Sequence, residues 1–427
     1  MSTRVTVENE SSLKTTEVGA IPRDWDLVSF DDAFEFLRTA SYSREQLGAN
    51  GDYQYIHYGD IHTKWSFFVD MSKARTPTVD RGQAGNYSQI KEGDLILADA
   101  SEDYAGVAKS VEVINLGEKK AIAGLHTFLL RDKGNNFVDG FKGYITSSPL
   151  VKPSLDRYAT GLKVFGISKN NLKLVPIPKP PSEQQKAIVK ALRDTDALIE
   201  SLEKLIAKKR AIKQGVMQEL LTGKRRLPGF TKAWTRERIG DCTQIVSGGT
   251  PRTDRNQYWN GGIKWCTPTD ITGTFGKYLH DTQRSISQAG LKSCAARLLP
   301  AGTLLLCSRA TIGEVRIATD QICTNQGFKS LVCSDRIDNE FLYYLLLTLK
   351  QKMIEKAIGS TFLEIGKREL AALEIPYPPI EEQRAIAMVL CELDTELELQ
   401  QSRLQKLTQV KQGMMQSLLT GKIRLTV

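Results

Sequence analysis

Histidine is scarce in this chain, with four in 427 residues, and none of the four is placed to hold a metal. His57, His62, His126 and His280 lie outside any HExxH pattern, and none stands beside a cysteine at zinc-ligand spacing. His57 and His62 sit five apart on what reads as strand and turn, which makes a poor metal pair. The chain has no P-loop, no GxGxxG and no nucleophile-elbow serine, so no familiar phosphate cradle or hydrolase site is expected. The seven cysteines fall between Cys242 and Cys391 without a CxxC pair or a regular framework. That excludes a disulfide scaffold and points to buried free thiols in a reducing compartment. There is no opening apolar run of signal-peptide type and no stretch of about 18 apolar residues, so no membrane partner is expected and the setting reads as cytoplasmic.

What is present describes a globular protein with 41% hydrophobic and 25% charged residues. Its length calls for two or more domains. The 58 basic residues exceed the 49 acidic ones by nine, an excess that leans toward a polyanionic partner.

The strongest signal is an internal repeat. Shifting the chain by 198 residues aligns 177–227 with 375–425 without a gap, and 24 of the 51 positions are identical. Each copy starts with proline punctuation, IPKPPSEQQKAI and IPYPPIEEQRAI, that blocks any helix upstream. Ser182 is placed to cap the first helix, with Glu183 in its first turn. Glu381 and Glu382 occupy the same positive end in the second. The copies close as KQGVMQELLTGK and KQGMMQSLLTGK, with Gly223 and Gly421 as stops.

Close to forty proline-free residues between start and stop predict a helix on the order of 60 Å long, at about 1.5 Å per residue. Leu192, Ile199, Leu202, Ile206, Val216 and Leu220 form an apolar seam in the first copy. Leu390, Leu393, Leu397, Leu404, Leu407, Met414 and Leu418 do so in the second, interrupted by polar Gln400 and Lys411. A long helix with one apolar seam needs a partner, and the two are expected to pair with each other as an antiparallel coiled coil.

The segments ahead of the helices are related more faintly. YIHYGDI matches the frame of WCTPTDI, and EGDLILADA that of AGTLLLCSR. Short β runs alternate with Gly, Asn and Asp turns, which suits mixed α/β (α+β) domains. The expected organisation is a pseudo-two-fold repeat: an N-terminal arm (1–17), a first mixed domain (18–180), a long helix (181–223), a second mixed domain (224–377), a second long helix (378–421) and a tail (422–427).

This layout, the IPKPPSEQQ and IPYPPIEEQ helix starts and the paired LLTGK endings resemble the specificity subunit of type I restriction-modification systems. SGGTPRT, YWNGGIKWCTPTDI, SRATIGEV and TNQGFKSL in the second domain are similar to motifs of that family's target-recognition domains. The first domain lacks GGTP and shows ADASEDYAGVA and AGLHTFLL instead, a form that resembles target-recognition domains of a different specificity. The resemblance covers nearly the whole chain. It implies a non-catalytic subunit that binds double-stranded DNA, each domain reading one half of a split, asymmetric site while the helices fix the gap. It also implies modification subunits that carry S-adenosylmethionine and methylate adenine, and a restriction subunit that uses ATP to translocate and cleave. No cofactor is then expected on this chain, which lacks an NPPY motif and a Walker lysine.

Reading bases takes side chains with directional donors and acceptors, and phosphate contacts set the register. On that ground Ser41, Tyr42, Arg44, His62, Lys64, Arg75, Ser101, Tyr104 and His126 are the candidates in the first domain. Thr250, Arg252, Tyr258, Lys264, Arg309, Thr311, Gln326 and Lys329 are those in the second. A basic run over 208–226, with seven Lys or Arg against one Glu, complements a helix C-terminus and could also meet phosphate or a partner. The alternative is a scaffolding protein whose coiled coil recruits protein partners; a single-chain methyltransferase or nuclease is disfavoured by the missing motifs.

Overall fold

The computed structural model describes residues 4–7, 12–104, 106–359 and 363–426. The chain divides into two compact units, Met1–Ser201 with Gln405–Val427, and Leu202–Leu404. Both boundaries fall inside the long helices, so each half-helix belongs with the globular domain it packs on.

In the first unit a five-stranded sheet runs in the order Phe34–Leu37, Thr127–Asp132, Leu95–Ala98, Ser110–Ile114, Phe68–Asp70. All neighbours are antiparallel except the last pair, which is parallel. A three-stranded sheet centred on Tyr53–Ile56 lies between Ala121–Ala123 and Thr78–Val79. The second unit repeats the plan. Its five strands run Thr243–Ser247, Lys329–Cys333, Leu304–Leu306, Val315–Ala318, Tyr278–Leu279, again with only the last pair parallel. Its three-stranded sheet is centred on Trp259–Cys266.

The central strands are apolar on every residue because both sheet faces are covered. Leu95 and Leu97 face a core with Phe30, Phe34, Leu130 and Tyr144, while Ile96 and Ala98 face another with Ile56, Ile61, Val111 and Leu129. Leu304 and Leu306 alternate with Leu305 in the same way in the second unit.

The long helices are Ser182–Leu220 and Ile380–Leu418, each of 39 residues. Ser182 opens the first rather than capping it; the Pro181 carbonyl accepts from the Gln185 amide at 3.0 Å, as Pro379 does from Gln383. Gly223 and Gly421 end the helices at φ 72°, a left-handed conformation that glycine adopts without a Cβ clash. Within the first unit, Thr195 meets Met414 and Asp196 meets Lys411; within the second, Lys209 meets Glu396 and Lys213 meets Asp394. Numbers fall along one helix as they rise along the other, so the half-helices run antiparallel in each unit. Gln400 and Lys411, which interrupt the apolar seam, are both buried.

The N-terminal arm and C-terminal tail join. Arg4–Val7 pairs antiparallel with Ile423–Thr426, and the Arg424 guanidinium makes two hydrogen bonds to Asp24, at 2.9 and 2.6 Å. Among the described residues no helix is long and apolar enough to cross a membrane.

Candidate nucleic-acid interface

Three junctions fix each globular domain to its half-helices, and each occurs twice. The first explains the glutamine of the helix start. Gln185 accepts from the Val138 amide at 2.8 Å and donates to the Pro180 carbonyl at 2.8 Å. Gln383 does the same with Asp338 and Pro378, both at 2.9 Å. In the second junction a tryptophan indole donates to the neighbouring helix residue, Trp25 to Gln184 and Trp234 to Glu382, each at 2.9 Å. Arg226 also pairs with Glu382.

The third junction is a Tyr–Asp–Lys group. Tyr144 donates to Asp196 at 3.0 Å while Lys411 pairs with Asp196 and lies 4.0 Å from the Phe67 ring centre. Tyr344 donates to Asp394 at 2.6 Å while Lys213 pairs with Asp394. Beside this second group lies a cleft of about 700 Å³ walled by Arg210, Lys213, Lys277, Arg316, Asp394 and Glu398. Within it Lys213 pairs with Asp394, and Lys277 pairs with Glu340 beside it, so the cleft adjoins the junction.

At the far end of the first domain's sheets, four segments converge. The short helix Tyr58–Lys64 is capped by His57, whose Nδ1 accepts from the Gly59 amide at 3.1 Å; burial lowers the pKa of that imidazole, and nearby Arg44 adds to the effect. Asp60 on this helix is buried and takes both guanidinium arms of Arg44 at 2.8 Å and Lys64 at 2.8 Å. Burial alone would raise its pKa, but the hydrogen bonds from Arg44 and Lys64 outweigh it and hold the carboxyl below the usual range. His62 Nε2 lies 2.8 Å from the Ala100 carbonyl, joining the helix to the segment that follows strand Leu95–Ala98. His126 completes the group, its Nδ1 3.1 Å from Asp99 and its ring edge-on to Tyr58 at 5.4 Å.

The second domain brings together the matching segments with other side chains. Thr267 and Asp270 form a capping box at the start of the helix Pro268–Gly273. The Thr250 hydroxyl donates to Gln326 Oε1 at 2.5 Å, and the Ser308 amide donates to the Gly327 carbonyl at 2.8 Å. The paired glycines of SGGTP are steric. A Cβ on Gly248 would come within 2.1 Å of the Thr324 carbonyl, and one on Gly249 within 2.6 Å of the Ala296 nitrogen. Glu364 binds Arg309 at 2.5 Å and Lys329 at 2.9 Å; burial would raise its pKa, but these two cations hold it low.

The positions of the sequence-predicted residues follow from this geometry. Ser41 and Arg75 are exposed, and Tyr42 is half-buried with its hydroxyl on the Gln83 carbonyl. Ser101 is buried, accepting from the Asp103 amide, and Tyr104 donates to the Asp156 carbonyl. Arg252 pairs with Asp254, Lys264 with Asp320, and Tyr258 is half-buried. Thr311 has a buried hydroxyl without a partner among the described residues. Arg44, Lys64, Arg252, Lys264, Arg309 and Lys329 are thus engaged by carboxylates of their own domain, while Thr250, Gln326, His62 and His126 lie where loops converge. Tyr58, Asp99 and the exposed Thr269 share those surfaces and were not singled out. Their signal is positional: each sits in or beside the paired frames YIHYGDI/WCTPTDI and ILADA/LLCSR.

Comparison with known proteins bears on both halves. Residues 22–209 and 231–409 match the family model described as the type I restriction modification DNA specificity domain. The MjaIX specificity subunit of a Methanocaldococcus jannaschii type I restriction enzyme is 41% identical over 169 residues, 39% of each chain. The MjaVIII specificity subunit from the same organism is 25% identical over 438 residues, covering 97% of this chain and 96% of that one. In fold, the crystal structure of a type I restriction-modification S subunit from M. genitalium is similar with a TM-score of 0.56 at 17% identity, over 95% of this chain and 98% of that one.

Proposed function

The chain belongs to the type I restriction-modification DNA specificity family, and we propose that its two domains read the two halves of a bipartite, asymmetric site on double-stranded DNA. The observation that carries this reading is the duplication itself. The two units share strand order, helix junctions and converging loops, yet the side chains on those loops differ: Tyr58, Asp99 and His126 in one, Thr250, Thr269 and Gln326 in the other. Similar frames favour similar docking on a duplex, and unlike side chains favour unlike half-sites. Base-edge hydrogen bonds supply the selectivity, and the net +9 charge assists approach to phosphate.

In this reading the helices set the gap between half-sites and dock the modification subunits. The chain itself performs no catalysis. S-adenosylmethionine is bound by the modification subunits and ATP by the restriction subunit, and the assembly works in the cytoplasm. The test is selection from a random duplex pool by this subunit together with its modification subunits. Enrichment of two short, different sequences at a fixed gap is the expected result; enrichment of one continuous sequence, or none, would refute the reading.

A further inference from the structure

His126 occupies a tip between the strands Ala121–Ala123 and Thr127–Asp132, where its backbone holds φ 54°. Few residues other than glycine adopt that region, histidine being among those that do so more often, and doing so costs on the order of 1 kcal/mol. Two hydrogen bonds maintain it. The Asp99 amide donates to the His126 carbonyl at 3.1 Å, and the Asp99 carboxylate lies 3.1 Å from Nδ1. Tyr58 flanks the ring at 5.4 Å, and the imidazole remains about half exposed, at 51%. Nε2 has no partner among the described residues.

An ionised carboxylate only accepts, so Asp99 keeps the proton of a neutral imidazole on Nδ1. Nε2 is then a bare acceptor. In the major groove the groups that answer an acceptor are the exocyclic amines, N6 of adenine and N4 of cytosine; guanine and thymine show only acceptors there. We propose that His126 Nε2 reads an adenine or cytosine amino group at one position of the half-site bound by the first domain, with Asp99 as the positioning residue that sets the tautomer. This rests on the DNA-reading function above and adds a chemical rule for one base.

The test selects from duplex pools at pH 8.5. His126→Asn, which tolerates the left-handed backbone but shortens the reach, is compared with His126→Ala, Asp99→Asn and the parent protein. Both His126 variants are expected to lose roughly 10-fold discrimination at a single adenine or cytosine position, as for one hydrogen bond, leaving the other half-site unchanged. Asp99→Asn can donate to Nδ1 and move the proton to Nε2, so preference at that position should shift toward guanine or thymine. A purely structural role for Asp99 would weaken binding without that exchange. If the parent selects a two-part target but folded His126→Asn selects the same bases throughout, or the sensitive position carries guanine or thymine in the parent, this inference is overturned. If the parent selects no two-part target, it is the proposed function that fails.

Discussion

Replacing Asp394 by alanine removes the shared acceptor of a helix–domain junction. Its carboxylate takes the Tyr344 hydroxyl at 2.6 Å and pairs with Lys213, and both charged side chains are 19% exposed. Leaving the fully buried Tyr344 hydroxyl without this partner costs about 1–3 kcal/mol; the Cys391 sulfur, 3.6 Å away, is a weak substitute. Breaking a fully buried ion pair costs about 3–5 kcal/mol, but Lys213 can reach water, so only part of that applies. The expected loss is about 2–4 kcal/mol for Asp394→Ala, and about 1–2 kcal/mol for Asp394→Asn, which keeps an acceptor for Tyr344. Urea unfolding followed by tyrosine near-ultraviolet dichroism reads this, and a double-mutant cycle with Tyr344→Phe should return a coupling of about 1 kcal/mol. A shift under about 0.5 kcal/mol for Asp394→Ala, or no coupling, would show that the group does not hold helix to domain, since that is the range of an ordinary surface substitution.

Asp196→Ala, its counterpart in the first unit, should cost less, about 1–3 kcal/mol in the same assay, because Asp196 is 32% exposed. Gln383→Ala orphans the Asp338 amide and the Pro378 carbonyl and should lower the urea midpoint by the equivalent of about 1–3 kcal/mol. Asp60 has a lowered folded pKa, so it adds stability at pH above its unfolded value of about 3.9, which is lost as pH falls through the folded value. Asp60→Asn should therefore unfold more easily at pH 7 and show a flatter loss of stability below about pH 4 in acid titration. Adding about one heptad to each long helix at matched points, after Ser201 and after Leu404, keeps the seam and lengthens each helix by roughly 10 Å. Selection from a library of randomised gaps should then recover half-sites about three base pairs further apart, at about 3.4 Å per pair; recovery of the original gap by the folded, extended protein would contradict a spacing role for the helices.

The repeat, the helix spans and the mixed domains were legible because they rest on proline, glycine and apolar period, which act locally. Lys411 and Gln400 read as interruptions of a seam. Lys411 instead meets Asp196 and the Phe67 and Tyr144 rings, partners more than 200 positions away that no local pattern reveals. The strand at the chain ends was missed for a similar reason: RVTV and IRLT are short, and their pairing joins the two extremes of the sequence. On the candidate interface, residue type did not reveal which side chains pair within the domain. Asp60, on the helix Tyr58–Lys64, binds both Arg44 and Lys64, and the pairing with Arg44 spans two separate segments. His126 is a candidate by residue type, whereas Asp99, whose carboxylate lies 3.1 Å from its Nδ1, reads in sequence as one more acidic turn residue.

The most direct test of two independent readers is exchange of residues 18–180 for the first domain of another specificity subunit, followed by target selection in complex with the modification subunits. The account expects one half of the target to change and the other half to be recovered as in the parent. Both halves changing together would contradict it.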